Sequence, residues 1–230
     1  MSRVLPILFD TEMVRAILDG RKTCTRRICK DANECTVPDM DFYNAAKRTY
    51  AVHNFADKEH MEQLSTAERT CPICPEDILY VRETVWQKIG YYLDVDGETK
   101  PSWYNEFRHV ASDEKPETGW NYSWVKRPSI HMPKEAARIW LKVTSVGVER
   151  LQEITEDGCI AEGVYPSNCR GCNATFGCDN CPDEGYNEID EFSEIWDSTI
   201  KKADLNSYGW DANPYVFVIE FIRIDKPEEI

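Results

Sequence analysis

A short basic run carries the first residues in this sequence whose types suggest chemistry. Residues 21–27 read Arg-Lys-Thr-Cys-Thr-Arg-Arg. Neighbouring cations and burial both disfavour the charged form of an amine, so Lys22 is a candidate general base or nucleophile. Thr25 supplies a hydroxyl beside it, although turn threonines commonly bond their own backbone instead. Alternatively, the cations of the run bind phosphate or form a solvated basic turn.

A second candidate site is formed by cysteines at metal-binding spacing. Four of the ten cysteines follow the pattern Cys-x2-Cys-x5-Cys-x2-Cys, namely Cys169, Cys172, Cys178 and Cys181. Two such pairs offer four thiolates to one ion, which predicts a closed, tetrahedral structural zinc site without zinc catalysis. Free thiols, an iron–sulfur cluster or disulfides are the alternatives.

The remaining cysteines offer weaker signals. Cys71 and Cys74 form a third Cys-x2-Cys pair, which Cys29 and Cys35 would complete as a second metal site if they lie nearby. The alternative is a pair of loop thiols. Cys24 lies inside the basic run, where neighbouring cations can lower a thiol pKa.

Composition limits the classes of function. The formal net charge is −14, so the protein does not resemble a basic nucleic-acid coat protein, and any contact with DNA or RNA must be local. The apolar run at the start is too short for a signal peptide, and no stretch is long enough to cross a bilayer. We therefore expect a soluble, cytoplasmic protein with no membrane partner, whose cysteines are reduced.

Both helices and strands are predicted to position these residues. Apolar periodicity predicts helices and alternation predicts strands. The predicted helices are 10–20, 155–162 and 189–201, and the predicted strands are 78–84, 137–151 and 214–224, with a hairpin in 88–126. Residues 30–70 and 165–188 have little apolar pattern and are interpreted as insertions or loops. This order predicts an α+β fold, with a closed barrel that carries short helices on its rim.

The basic run also resembles a known family signature. Gly20, Lys22 and Arg27 match the ASCH pattern Gly-x-Lys-x-x-Glu-x-Arg. Thr25 stands where many members have Glu, but small ASCH proteins that are acetylcytidine amidohydrolases also carry Thr there. The departure therefore indicates that branch.

Further segments resemble the same family in the same order. Residues 77–84 resemble its Gly-Asp-x-Leu-x-Val-Arg-Glu-Thr strand, with Glu76 in place of Gly. Residues 124–133 resemble a segment of ASCH proteins from phages and prophages, and 151–164 and 213–221 resemble its helix and closing strand. The resemblance implies one ASCH domain over 1–230, with insertions at 30–70 and 165–188, the second holding the zinc loop.

The resemblance implies a PUA-like β-barrel with a pocket between barrel and helix. Lys22 and Thr25 carry over as catalytic residues, and Glu162 carries over less directly, with Glu83 as a competing carboxylate. In the implied reaction, Lys22 takes the proton of Thr25 Oγ, Thr25 attacks an acyl carbon, and Glu162 protonates the leaving amine. The expected ligand-binding residues are Gly20, Arg21, Arg26, Arg27, Glu83 and His131.

Three functions follow from this resemblance and stay open. The first is hydrolysis of an amide on a modified nucleoside or nucleotide. The second is a non-catalytic reader that holds a flipped or modified base. The third is RNA cleavage. The expected partner is a nucleoside, a nucleotide or single-stranded nucleic acid, in the host cytoplasm if the protein is phage-encoded.

Overall fold

The computed structural model describes residues 2–33, 37–39, 48–55, 63–165 and 187–228. These residues form a mixed α+β fold that is mostly sheet. The strands are β1 (Val4–Leu8), β2 (Cys24–Ile28), β3 (Val37–Asp39), β4 (Thr49–Phe55), β5 (Gln63–Thr70), β6 (Ile78–Arg82), β7 (Val85–Leu93), β8 (Thr99–His109), β9 (Tyr122–Arg127), β10 (Trp140–Arg150) and β11 (Tyr215–Ile224). The helices are α1 (Thr11–Leu18), α2 (Lys30–Asn33), α3 (Glu156–Ala161), α4 (Glu188–Thr199) and α5 (Leu205–Tyr208).

The residues cluster into two compact units. The first unit comprises Met1–Gly20, Ile78–Lys142 and Arg223–Ile230, and the second comprises Arg21–Asp77 and Val143–Ile222. Strands β10 and β11 each contribute residues to both units. Lys22 and Glu162 belong to the second unit.

In the first unit, β1 pairs with β6 in parallel, and the start of β10 pairs with β6 antiparallel. A separate three-stranded antiparallel sheet has the order β8-β7-β9. An apolar core of the first unit includes the buried side chains of Val85, Met132, Ala137 and Trp140. Burial of such large apolar side chains stabilises the fold by about 1.5–3 kcal/mol each.

In the second unit, β11 lies between β10 and β2, and β3, β4 and β5 form an antiparallel sheet. Helix α4 contributes Phe192 and Trp196 to an apolar cluster of the second unit, because these residues lie four apart on one face of the helix. That cluster also holds Leu151, Cys159 and Val216, so it connects α4 to α3 and β11. The cluster thereby supports the short helix α3, on which the candidate site depends.

Several elements agree with the sequence patterns. Asp10 caps α1 by accepting a hydrogen bond from the Met13 N–H at 2.8 Å, as its position before the apolar face indicates. Gly20, two residues after α1, has a φ of 79°, a left-handed conformation that glycine adopts without steric cost. The predicted strands and helices on either side of the site correspond to β6, β10, α3, α4 and β11.

Other elements differ from the predictions. The basic run is not a turn throughout, because residues 24–28 form β2 and pair antiparallel with Val216–Glu220 of β11. Residues 30–70 contain α2 and the strands β3, β4 and β5 rather than a long loop. In both places backbone pairing with a distant or neighbouring strand outweighs a weak local pattern.

The α+β class is confirmed, whereas the closed barrel is not found. In the described parts of the chain, the strands form open sheets and no closed barrel. In the sheet of β7, β8 and β9, for example, β7 is central and the two outer strands do not pair with each other. The predicted zinc loop lies outside the described residues.

Candidate functional site

The site is built where the chain before β2 meets the end of α3. Thr155 caps α3 by accepting a hydrogen bond from the Gly158 N–H at 3.1 Å. Glu162 is the C-cap residue, and Gly163 follows with a φ of 104°. The Thr23 N–H donates to the Ala161 carbonyl at 2.8 Å, which fixes the residues before β2 against the end of the helix.

Lys22 and Glu162 form a buried ion pair at this junction. The Lys22 Nζ donates to Glu162 Oε2 at 2.6 Å and to the Glu162 backbone carbonyl, also at 2.6 Å. Their side chains are only 1% and 8% exposed, so water does not screen the pair as it screens a surface ion pair. The structure thus brings together two of the three residues predicted to be catalytic.

Arg26 extends the pair into a network of four charged groups. Its Nη1 lies 3.4 Å from Glu162 Oε1, so each oxygen of that carboxylate faces a different cation. The Arg26 Nε and Nη2 both contact Glu149 Oε1, at 2.9 and 2.7 Å. Two cations and two carboxylates balance each other, which offsets part of the cost of burying them.

This balance is visible in the pKa of Arg26. Burial alone opposes its positive charge, but Glu162 and Glu149 outweigh burial and raise the pKa of Arg26 above its ordinary value. Arg26 therefore remains a cation within the network. Its side chain is a counter-charge for Glu162.

The Cys24 thiol lies beside this network and does not become reactive. Burial, and next the negative charge of Glu162, raise the pKa of Cys24 to about 12, against the opposing effects of Arg26 and Lys22. The predicted net lowering of the Cys24 pKa is therefore wrong, because desolvation outweighs the effect of the nearby cations. A thiol with such a raised pKa stays protonated and is a poor nucleophile at neutral pH.

Thr25 is buried, and the geometry of β2 determines the direction of its side chain. The Arg26 Nη1 contacts the Cys24 Sγ at 3.6 Å, so Cys24 and Arg26 share the face that carries the network. Because successive side chains of a strand alternate, Thr25 emerges from the opposite face of β2. Thr25 is three residues from Lys22 in the sequence, but its side chain does not lie on the face of β2 that carries Cys24 and Arg26.

The other cations of the run have separate roles. Arg21 Nη1 donates to the Gly163 carbonyl at 2.6 Å, and its guanidinium lies 3.7 Å from the centroid of the Tyr165 ring. Arg27 is exposed, and its Nη1 donates to the Arg26 carbonyl at 3.0 Å. Arg21 thus stabilises the turn after α3, whereas Arg27 lies at the surface.

Glu83 and His131 belong to the first unit. Arg138 donates to the two Glu83 carboxylate oxygens at 2.9 and 3.0 Å in a bidentate pair, and His109 Nε2 lies 4.0 Å away. His131 is exposed at the end of the short 3₁₀ turn Ser129–His131. Gly20 closes α1 by donating its N–H to the Ile17 carbonyl at 3.1 Å.

Glu149 and Arg138 are the charged residues that the sequence patterns did not single out. Glu149 lies in a strand that was predicted to be half-buried, where polar residues are expected on the solvent face, so its partnership with Arg26 gave no local signal. Arg138 lies just before the same strand. Their partners are 123 and 55 residues away along the chain, which local spacing does not indicate.

The cysteine predictions have different outcomes. Cys169, Cys172, Cys178 and Cys181, like Cys35, lie outside the described residues. Cys71 and Cys74 are buried, and their thiols donate to the carbonyls of Ile73 and Cys71 at 2.7 and 3.5 Å. Within the described ranges, no group of three or more His, Cys, Asp or Glu side chains is arranged to hold a metal ion.

The geometry of the Lys22–Glu162 pair suits acid–base chemistry. A shift of one proton from Lys22 Nζ to Glu162 Oε2 across 2.6 Å would leave a neutral amine beside a carboxylic acid. The amine is then a base and the carboxylic acid is a proton donor, which are the two functions needed in amide cleavage.

Comparisons with known proteins do not assign the chain. It matches no protein-family model, no curated protein and no solved structure. Across the ranges that the structure describes, no helix has the length and apolar character needed to cross a membrane. The candidate function therefore depends on the geometry of the site and on the sequence resemblance.

Proposed function

We propose that this chain is an ASCH-type pocket protein that binds a nucleobase or nucleotide and hydrolyses an amide on an acylated nucleoside. One observation carries the proposal: Lys22 and Glu162 are 140 residues apart in the chain, and they form a buried pair at 2.6 Å. The sequence resemblance assigns catalytic roles to these two residues on grounds independent of that contact.

In the proposed reaction, the proton shift within the pair prepares both catalytic groups. Neutral Lys22 removes a proton from the nucleophile, the nucleophile attacks the acyl carbon, and Glu162 gives its proton to the leaving amine. The resemblance assigns the nucleophile to Thr25 Oγ, which would form an ester that water then hydrolyses. Alternation in β2 favours a water molecule as the nucleophile, which would release the acid directly.

Arg26 and Glu149 have a supporting role in this proposal. Arg26 holds the second oxygen of Glu162 at 3.4 Å, and Glu149 holds Arg26. This arrangement leaves Oε2 directed at Lys22. The exposed Arg27 is the candidate contact for a substrate phosphate.

The test is a panel of acylated and unmodified nucleosides incubated with the purified protein and analysed by mass spectrometry. Lys22→Met and Glu162→Gln are each expected to lower acyl release by at least about 100-fold, since each removes one acid–base group. Lys202→Met is the matched control, because Lys202 is an exposed lysine of the same unit. Circular dichroism confirms that each variant is folded.

Thr25 is tested in the same assay. Loss of turnover in Thr25→Ala, with recovery in Thr25→Ser, supports the hydroxyl as nucleophile, whereas retained turnover in Thr25→Ala supports water. Turnover that survives in folded Lys22→Met contradicts the proposed role of the pair. Cleavage of RNA added to the same panel would instead support a nuclease.

A non-catalytic reader is the second candidate, and one observation favours it. The buried network is electrically balanced, with Lys22 and Arg26 facing Glu149 and Glu162, as is typical of a group that shapes a pocket without reacting. A reader binds a modified oligonucleotide without product formation. The absence of product from every nucleoside, together with saturable binding of a modified oligonucleotide, would decide for the reader.

A further inference from the structure

The sheet of β7, β8 and β9 packs part of one face against the core of the first unit, and the same face carries the exposed Tyr91 and Trp103. Val85, Ile89 and Phe107 point to this face, where Val85 and Phe107 join the core of the first unit. Successive side chains of a strand point to alternate faces, so the residues next to these three in each strand point to the opposite face. This face, called the aromatic face below, is formed by Trp86, Lys88, Gly90, Tyr92, Lys100, Ser102, Tyr104, Glu106, Arg108, Tyr122, Trp124 and Lys126.

Tyr104 is held as a platform on the aromatic face. A Cβ atom placed on Gly90 would lie 2.5–3.1 Å from the Tyr104 ring, so the ring lies directly over the glycine of the central strand. Tyr104 is 46% exposed, so its ring is accessible from solvent. One part of the ring thus rests on the backbone of β7 while the rest is available to a ligand.

Lys88 lies at the centre of the aromatic face among three rings. Its Nζ lies 5.6, 4.5 and 5.9 Å from the ring centroids of Tyr104, Tyr122 and Trp124, and it donates to Glu106 Oε2 at 2.9 Å. Cation–π contacts of this kind fix the orientation of the rings. The rings are therefore ordered before any ligand arrives, which lowers the entropic cost of binding.

The charge of the aromatic face is opposite to that of the whole chain. Within these three fully described strands, its charged side chains are one carboxylate, Glu106, and four cations: Lys88, Lys100, Arg108 and Lys126. Lys88 is paired with Glu106, and Lys100 with Asp94 in the turn after β7, so the local positive charge comes from Arg108 and Lys126. Arg108 and Lys126 are both exposed, and both are register partners of Trp86 in the central strand. A locally basic, aromatic surface on a protein of net charge −14 indicates a polyanionic ligand that also has flat apolar rings.

We propose that the aromatic face binds single-stranded nucleic acid, with a base stacked on Tyr104 and the backbone phosphates held by Arg108 and Lys126. A single strand presents unpaired bases together with regularly spaced phosphates, whereas a duplex hides its bases. An acidic peptide would satisfy the cations but would leave the ring platform without a partner. This proposal stands independently of acyl-nucleoside hydrolysis.

The test measures binding of fluorescein-labelled 12-nucleotide oligo(dT) and oligo(U), a length of about one site size, to the full chain by anisotropy. We expect a dissociation constant on the order of 10 μM at about 50 mM salt for at least one of the two strands. The logarithm of the affinity should fall with the logarithm of salt concentration with a slope of about −1.4, as expected for two phosphate contacts.

Two variants and one matched control locate the ligand. Tyr104→Ala is expected to weaken binding by about 5- to 100-fold through loss of stacking. Lys126→Ala should weaken binding and make the salt slope shallower by about 0.7. Tyr91→Ala is the control, because Tyr91 lies in β7 on the opposite face, is 50% exposed, and should leave the affinity unchanged within about 2-fold.

Each outcome decides for or against the proposal. It is supported if Tyr104→Ala weakens binding while Tyr91→Ala does not, and if a duplex of the same length competes poorly. It is overturned if neither strand binds, if both tyrosine variants behave alike, or if poly-glutamate competes as well as the oligonucleotide. Because binding is measured without turnover, the absence of acyl release affects the hydrolase proposal and leaves this one intact.

Discussion

Among the described residues, Glu162 in the second unit and Glu83 in the first are two of three buried carboxylates with cationic partners, and these two pairs are solvated differently. Arg138, which holds both oxygens of Glu83, is 29% exposed in its side chain. Lys22 and Arg26, which hold one oxygen each of Glu162, are 1% and 6% exposed. Water therefore reaches the cation of the first pair and neither cation of the second.

This difference separates a structural ion pair from a candidate catalytic one. A bidentate arginine satisfies a carboxylate completely and cannot give up a proton, so the Glu83 pair suits positioning of the backbone. A lysine can exchange a proton with its carboxylate, and the dry environment lowers the cost of the neutral state. The proposed hydrolysis therefore assigns acid–base chemistry to Glu162 rather than to Glu83.

The largest expected effect comes from removing the carboxylates. Glu162→Leu leaves Lys22 and Arg26 buried beside a single remaining carboxylate, and should lower the free energy of unfolding by about 3–5 kcal/mol. Glu83→Leu leaves Arg138 able to contact water, and should cost only about 1–2 kcal/mol. Urea unfolding measures both. Equal losses would show that the exposure of the cations does not control the energetics.

Removing the cations should instead cost more stability at Glu83 than at Glu162, and the larger of the two losses should be somewhat smaller than for Glu162→Leu. Arg138→Met leaves the buried Glu83 with only His109 at 4.0 Å, and is expected to cost about 3 kcal/mol. Lys22→Met leaves Glu162 with Arg26 at 3.4 Å, and is expected to cost about 1–2 kcal/mol. Urea unfolding under the same conditions gives the comparison. If Lys22→Met proves the more damaging variant, Arg26 does not compensate for the lost ammonium.

A further expected effect is a pH dependence of stability from the buried Cys24 thiol beside the network in the second unit. The pKa of Cys24 is raised from 9.0 to about 12 in the folded state, so the folded protein keeps this proton while the unfolded chain releases it above pH 9. Its contribution to stability is complete below pH 9 and is lost as pH rises toward 12. The loss is at most about 1.4 kcal/mol per pH unit.

Cys24→Ala and Cys24→Ser check this dependence. Neither side chain titrates, so both variants should lose stability less steeply than the wild type between pH 9 and 10.5, as measured by urea unfolding at each pH. A wild-type slope in both variants would mean that the thiol is not desolvated as the structure indicates. Comparison of the two variants separates the titration from the packing change.

The sequence predicted the elements around the site better than the site's contacts. Periodicity indicated α1 and α4 because each has an apolar face that repeats locally. It did not indicate β2, whose pairing with β11 joins Thr25 to Ile219 far along the chain. The partners Glu149 and Arg138 were missed for the same reason, since an ion pair across distant strands leaves no local spacing signal.

The backbone angle of Glu76 shows what a glycine would do at one position where the sequence departs from the ASCH pattern that it resembles. Glu76 stands where the pattern has glycine, and its φ is 69°. Glycine occupies this left-handed region without steric cost, whereas a residue with a Cβ is strained there. A glycine at this position would adopt the turn before β6 without the strain that Glu76 carries.

The long separation of Lys22 from Glu162 also has a consequence for how the protein is made. The aromatic face is assembled from consecutive strands within residues 85–127, so its contacts form between neighbours and are expected early in folding. The buried pair closes a loop of 140 residues, which carries a larger entropic cost and is expected late. During synthesis, the emerging chain would therefore have its aromatic sheet well before Lys22 meets its carboxylate partner.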